Sequence, residues 1–340
     1  MNKSDVHKVL NWCEEARNIL ILGHKSPDGD AIGSTLGLSH YLKKKGISST
    51  VMVPDVFPEF LKWLPGSDEV KVYDKDVSLG KEIIENADLI FTLDFNHLKR
   101  VGAMTESLEA SNAKFVMIDH HQEPSDYSSI TLSDTSSCST AQMVYEFIEA
   151  AEDLNLLDET IGENLYCGIM TDTGSFRFSS VTPKTHEIAA MLMRSGTDHA
   201  KVHRAVYDTN HIDRLKLVGY ALSNKLEILP GDRVALIWLS QKELEQFNYR
   251  KGDTEGLVNQ ALSIQGINCA AFIREGNNQV KMSFRSKGPF DVNKLARAHF
   301  NGGGHMNAAG GMITDKSIEE VVAYFKTNVA SYDKELEYAS

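Results

Sequence analysis

Ile19-Leu20-Ile21-Leu22-Gly23-His24-Lys25-Ser26-Pro27-Asp28-Gly29-Asp30 decides how the first half of the chain is read. Four aliphatic residues stop at a glycine, and a histidine and two aspartates follow at once in a Pro/Gly turn. A short apolar run bounded by turn residues reads as a buried strand. Beyond it Ile32, Leu36 and the stretch from Leu38 to Leu42 keep helical spacing, so 30–45 is expected to be a helix with Gly46 at its stop. The same ending recurs. Leu89–Leu93 runs into Asp94, and 115–118 runs into Asp119-His120-His121. Asp172 follows later in Met-Thr-Asp-Thr-Gly. Strand and helix patterns alternate over residues 1–185, which predicts a doubly wound, mostly parallel α/β domain. Such sheets place ligands at the carboxyl ends of their strands.

Working outward, 49–53 reads as a short strand stopped by Pro54, and 82–87 as a helix. Thr140–Ala150 is a helix entered through a Ser/Thr-rich stretch that can cap it, and 159–170 is a helix that delivers Asp172 at its end. A Thr-Pro entry starts a helix over 182–195. Residues 186–213 then read as a helical linker to a smaller α/β domain over 214–340. In that domain 233–238, 269–274 and 280–285 are strand patterns, 291–300 is a helix, and a glycine-rich loop over 302–311 precedes a last helix from about Ser317.

Composition limits the function classes. With 42% hydrophobic and 24% charged residues in 340, the chain is an ordinary globular one of two-domain size. No apolar run approaches the ~20 residues of a membrane span, and Glu14, Glu15 and Arg17 interrupt any leader-like segment. Cys13, Cys138, Cys167 and Cys269 match no metal or redox spacing and read as free thiols of a cytoplasmic protein. The net charge of -12 argues against gripping long duplex nucleic acid, which needs a basic surface.

An aspartate at one strand end is ordinarily a cap or a turn residue. Here several strand ends finish in ligand types. His24, Asp28, Asp30, Asp94, His120 and Asp172, with Asp119 and His121 beside them, are enough donors for a pair of divalent cations ~3.5–4 Å apart. Carboxylates with a minority of imidazoles suit Mn²⁺ or Mg²⁺ better than structural zinc.

These motifs together resemble the DHH phosphoesterase family. Asp119-His120-His121 matches its naming triplet, His24-x-x-x-Asp28-x-Asp30 its first motif, Asp94 its second and Thr171-Asp172-Thr-Gly-Ser-Phe its fourth. Gly302-Gly303-Gly304-His305-Met-Asn-Ala-Ala-Gly resembles the signature of the associated DHHA1 domain. The resemblance implies one metal on His24, Asp28 and Asp94 and another on Asp30, Asp94, His120 and Asp172, with Asp94 shared. It implies that Asp119 orients a ligand histidine and that His121 faces the substrate phosphate.

The glycine run lets backbone N–H groups approach an anion, and His305 adds a donor. Arg285, on the polar face of its strand, has a fork that suits phosphate. Ser283 and Ser286 add hydroxyls. With the resemblance, Arg285, Ser283, Gly302, Gly303, Gly304 and His305 are expected to hold a terminal phosphate. The implied activity is that of the family's nanoRNase branch: two-metal, in-line attack by a bridging hydroxide on short oligoribonucleotides such as linear dinucleotides, yielding mononucleotides, and dephosphorylation of 3'-phosphoadenosine 5'-phosphate. The partners are then nucleotides and short RNA, with no membrane and with a homodimer left open. A pyrophosphate or polyphosphate hydrolase and a non-catalytic nucleotide-binding protein are the competing readings. His7, His40, His186, His199, His203, His211 and His299 read as helix-surface residues, and Phe57, Phe60, Trp63 and Leu64 as packing. Phe176 is open between core and nucleobase contact.

Overall fold

The computed structural model describes residues 1–276 and 278–337. The chain divides into a unit over Met1–Thr209 and a second from Asn210 onward.

The first unit carries six strands: β1 (Ile19–Leu22), β2 (Thr50–Val53), β3 (Lys71–Val72), β4 (Leu89–Leu93), β5 (Lys114–Asp119) and β6 (Ile130–Ser133). They pair in parallel in the order β3-β2-β1-β4-β5-β6. Its helices are α1 (Lys3–Glu15), α2 (Gly29–Lys44), α3 (Val77–Glu85), α4 (Thr105–Glu109), α5 (Thr140–Ala150), α6 (Glu159–Asp172), α7 (Pro183–Arg194) and α8 (His199–Tyr207). Both faces of the sheet's middle are covered, so β1, β2, β4 and β5 are nearly continuous apolar runs, whereas the edge strand β6, Ile130-Thr131-Leu132-Ser133, alternates buried and exposed residues. Ile19, Ile21, Val53, Phe91 and Ile118 face α2, α5 and α6, while Leu20, Leu22, Met52 and Ile90 face α3 and α4. The strand order reverses between β1 and β4, so the chain ends leaving those strands flank a crevice where such sheets bind ligands.

Helix α2 lies against α6 along Gly29, Gly33 and Gly37, one residue per turn. A Cβ on Gly33 would run into the carbonyl oxygen of Asn164 and come within 3.0 Å of the Gly168 nitrogen, and one on Gly37 would run into Leu165. This close approach sets the start of α2, with Asp28 and Asp30, beside the end of α6, with Asp172.

The second unit is a mixed six-stranded sheet in the order β11-β12-β10-β9-β8-β7. Its strands are β7 (Leu226–Ile228), β8 (Val234–Leu239), β9 (Cys269–Gly276), β10 (Gln279–Ser286), β11 (Gly303–His305) and β12 (Ala308–Ile313). Helices α9 (Ile212–Tyr220), α10 (Gln241–Gln246) and α11 (Leu257–Leu262) cover one face through Ala235, Ile237 and Phe272. Helices α12 (Val292–His299) and α13 (Ile318–Val329) cover the other through Ile273, Met282 and Phe284.

The differences from the sequence reading have local causes. The helix expected over 82–87 begins at Val77, because Asp76 accepts a hydrogen bond from the Leu79 N–H at 3.0 Å and caps it. Within the stretch read as a linker, α7 and α8 put Ile188, Leu192, Val202 and Val206 into the first unit's core. The stretch read as a glycine-rich loop is the hairpin β11–β12. Phe57, Phe60, Trp63 and Leu64 do pack against the first unit's core. No helix among the described residues is long and apolar enough to cross a membrane.

Candidate metal centre

The first unit's ligand-type residues meet at the crevice between β1 and β4. Asp28 caps α2: one of its oxygens accepts from the Asp30 and Ala31 N–H groups at 3.0 and 3.1 Å, and the other lies 3.8 Å from His24 Nε2. His24 Nδ1 donates to the Lys25 carbonyl at 2.9 Å, so Nε2 is the nitrogen turned into the crevice and sits 3.3 Å from Asp94 Oδ2. Asp94 is the first residue beyond β4 and has φ of +65°. Aspartate tolerates that left-handed backbone better than most side chains. Its N–H still bonds Ile118 at 3.1 Å, so the carboxylate is anchored to the sheet.

On the other side of Asp94, Oδ1 lies 3.4 Å from His120 Nε2. His120 Nδ1 is held by the Ser137 carbonyl at 3.2 Å, which again points Nε2 inward, 3.5 Å from Asp172 and 3.9 Å from Asp30. The two oxygens of Asp94 therefore face two different imidazoles. The donor atoms of His24, Asp28 and Asp94 lie within 4.8 Å of one another, as do those of Asp30, His120 and Asp172.

The electrostatics of this cluster are those of a cation site. Burial and the charges of Asp94 and Asp172 push the Asp30 carboxyl well above its usual range. Burial takes Asp172 up to about 6. Asp94 is buried too, yet bonds from His120 and His24 hold it well below the usual range. Burial works against charging His24 and His120, but the surrounding carboxylates raise both. Carboxylates this close and this buried repel one another unless positive charge sits among them. Their oxygens and two imidazole Nε2 atoms are hard and borderline donors, which fit divalent cations.

Sequence reasoning missed the layer behind these candidate ligands. Asp30 accepts from the Thr140 and Ala141 N–H groups at 2.6 and 2.8 Å, at the positive start of α5. The Thr140 hydroxyl donates to Asp94 Oδ1 at 3.1 Å. The Ser/Thr-rich entry to α5 was the available signal, and it reads locally as a cap. Ser139 does cap the helix, accepting from Gln142 at 3.0 Å, while Thr140 turns to the site. Thr140→Val keeps the shape and removes the hydroxyl. It should weaken divalent-cation binding by roughly tenfold with the fold intact. Calorimetric titration of the metal-free protein checks this, and an unchanged affinity would take Thr140 out of the site.

Asp119 is fully buried and accepts from His121 twice, from Nδ1 at 2.8 Å and from the backbone N–H at 3.1 Å. It thus orients His121, whose Nδ1 is also 3.7 Å from Asp94.

In the second unit, strand register sets the candidate phosphate groups on one face. Arg285 pairs with Ala270 and Ala308, and Ala308 with His305; Ser283 pairs with Phe272 and Gly310, and Gly310 with Gly303. Directly paired residues share a face, so Arg285 stands between two alanines, Ala270 and Ala308, and Ser283 between Phe272 and Gly310. Arg285 Nη1 donates to the Phe284 carbonyl at 2.9 Å. The glycines have a packing cause of their own. A Cβ on Gly302 or Gly304 would run into β12 backbone, and Gly304 has φ of +149°. Ser286 does not join this face: it donates to the Phe290 carbonyl at 2.6 Å and accepts from Asn307 at 2.9 Å.

Residues 18–169 match the DHH family, N-terminal domain, and residues 233–331 match the DHHA1 domain. The chain is 31% identical over 296 residues to the bifunctional oligoribonuclease and PAP phosphatase NrnA of Bacillus subtilis, covering 87% of this chain and 89% of that protein. It is 30% identical over 318 residues to the protein of that name from Thermus thermophilus, covering 89% and 88%. Among solved structures, an exopolyphosphatase-related protein from Bacteroides fragilis matches with a TM-score of 0.93 at 40% identity, over 99% of this chain and 98% of that one.

Proposed function

This chain belongs to the DHH family and is a phosphoester hydrolase, and on that premise we propose that it cuts short oligoribonucleotides, linear dinucleotides included, to mononucleotides. We propose also that it dephosphorylates 3'-phosphoadenosine 5'-phosphate. The observation that carries the reading is Asp94, whose two oxygens face the Nε2 atoms of His24 and His120 at 3.3 and 3.4 Å. The activity for which two relatives at 30–31% identity are named supports the choice of substrate.

In this reading His24, Asp28 and Asp94 hold one divalent cation and Asp30, Asp94, His120 and Asp172 a second, with Mn²⁺ preferred to Mg²⁺. Such cations, when bound, supply Lewis-acid stabilisation of charge at phosphorus and activation of water. The chain's own groups do the rest. The Lys25 and Ser137 carbonyls fix the two ligand rings, and the start of α5 holds Asp30. Asp119 keeps the proton of His121 on Nδ1, so Nε2 is the atom that acts at the substrate phosphate. The hydrolytic part is the first unit, read from the sequence as residues 1–185 and extended by α7 and α8 to Thr209; in the second, Arg285, Ser283, the 302–304 glycines and His305 take a terminal phosphate of the substrate.

A substrate panel in Mn²⁺ buffer tests this: a 5'-phosphorylated RNA dinucleotide, a long RNA strand, 3'-phosphoadenosine 5'-phosphate, pyrophosphate and polyphosphate. Rapid release of mononucleotide from the dinucleotide with little action on the long strand is expected. Arg285→Ala should raise KM for the dinucleotide about tenfold or more, a lost charge-assisted pair, and leave metal binding as it is. Preference for polyphosphate would favour a second reading, to which the name of the Bacteroides fragilis structure points.

A further inference from the structure

The segment after Asp172 has an uncommon backbone. Gly174, Ser175 and Phe176 have φ of +57°, +63° and +62° in succession. Glycine takes such angles freely, but a bulky residue there is an outlier. Strain of this kind persists where surroundings over-determine it, and it gathers at ligand-binding segments. Here the Phe176 N–H donates to Thr173 Oγ1 at 2.9 Å, the Ser175 N–H to the Met170 carbonyl at 2.7 Å, and Ser175 Oγ meets His203 Nε2 at 3.2 Å.

The strained turn fixes the place of one ring. Phe176, half-buried, lies 5.6 Å from buried Tyr166 and stacks on exposed His186 at 5.7 Å with 27° between the planes. Tyr166 touches the rings of His199 and His203 at 6.5 and 5.9 Å, and His203 touches Tyr207 at 6.1 Å. The histidines that the sequence reads singly as helix-surface residues thus belong to one continuous ring surface, drawn from α6, α7, α8 and the turn. Its outer members His186, His199 and Tyr207 are exposed. These histidines form no three-donor metal cluster among the described residues. Phe176 also packs against the first unit's core, as Tyr166 does, whereas the polar-edged rings of His186 and His199, wet on one side, suit a flat heteroaromatic partner.

We propose that this surface seats a nucleobase of the short RNA substrate, stacked on His186 and Phe176. The proposal rests on the reading of the Asp172 cluster as the hydrolytic centre. Phe176 is four residues beyond Asp172, a chain reach of at most about 14 Å, so a base here belongs to a nucleotide at or next to the scissile phosphate. Tyr166 is the floor, and Ser175 and His203 hold the turn.

The test uses a 5'-phosphorylated dinucleotide carrying 2-aminopurine, whose fluorescence is quenched on stacking, added to the metal-loaded protein. Quenching by the wild type is expected. His186→Ala and Phe176→Leu should each weaken the affinity read from that signal about tenfold, while Tyr324→Ala in the second unit should bind as wild type does. His186→Ala should also raise KM more for the normal dinucleotide than for one lacking a base. The proposal is overturned if the wild type hydrolyses the dinucleotide without quenching the probe. Equal probe affinities of wild type and His186→Ala, or equal KM increases on the two substrates, would overturn it as well. A wild type that quenches the probe but releases no mononucleotide would support the platform and overturn the hydrolytic reading instead.

Discussion

Replacing Asp94 by asparagine should lower kcat/KM on the dinucleotide by on the order of a thousandfold, comparable to losing a central electrostatic group of an active site. The change keeps the size of the side chain and takes away one charge and one acceptor oxygen. Asp94 sits between His24 Nε2 and His120 Nε2, at 3.3 and 3.4 Å, and also receives the Thr140 hydroxyl. A neutral amide cannot serve both imidazoles' neighbourhoods, because one of its two ends is now a donor. Bound metal, counted by elemental analysis after dialysis, should fall together with activity. The fold should survive, since the loss of two histidine pairings is offset by relief of repulsion from Asp30 and Asp172, and circular dichroism checks that. Activity comparable to wild type would remove Asp94 from the centre of the site.

Gly33→Val should destabilise the first unit by about 3 kcal/mol, the upper end for overpacking a close contact. The obstacle is backbone rather than a yielding side chain: the Asn164 carbonyl oxygen, the Gly168 nitrogen at 3.0 Å and the Gly168 Cα at 3.2 Å. For a unit of this length that corresponds to a drop in Tm of roughly 6–12 °C. The variant should also lose metal affinity, because moving α2 off α6 carries Asp30 away from Asp172. Gly219→Ala, where a Cβ meets nothing within 4 Å, is the matched control. A Tm and a metal affinity both at wild-type values would show that the helices separate without cost and that their contact does not set the site.

Strands β1, β2, β4 and β5 were legible because each is a largely apolar run closed by turn residues, and strands buried on both faces of a parallel sheet require that pattern; β6, Ile130-Thr131-Leu132-Ser133, alternates between serine- and threonine-rich flanks and was not read as a strand. The two-residue β3 carries too little pattern to read. Hairpin β11–β12 was hidden because its glycines, which let two strands approach closely, are also what a loop contains. Helices α7 and α8 were placed in a linker because their apolar residues are interleaved with Lys184, His186, Lys201 and His203. Which side of such a helix is buried depends on a neighbour that the local stretch does not name.

The sequence by itself determined the ligand-type residues and their attachment to strand ends, because a strand that stops at Asp94, or at Asp119-His120-His121, fixes where those side chains leave the sheet. It also determined that the chain has two α/β parts, through the period of its apolar residues. Only the tertiary structure decided which donors stand together: the reversal of strand order at β1 and β4, and the glycine contact of α2 with α6, bring Asp30, Asp94 and Asp172 to one crevice from positions far apart in the chain. It alone assigned Thr140 to Asp94, and His186 and His203 to the ring surface beside Phe176. Hydrogen bonds and ring contacts depend on distances of a few ångströms between segments, and nothing within a single segment encodes them.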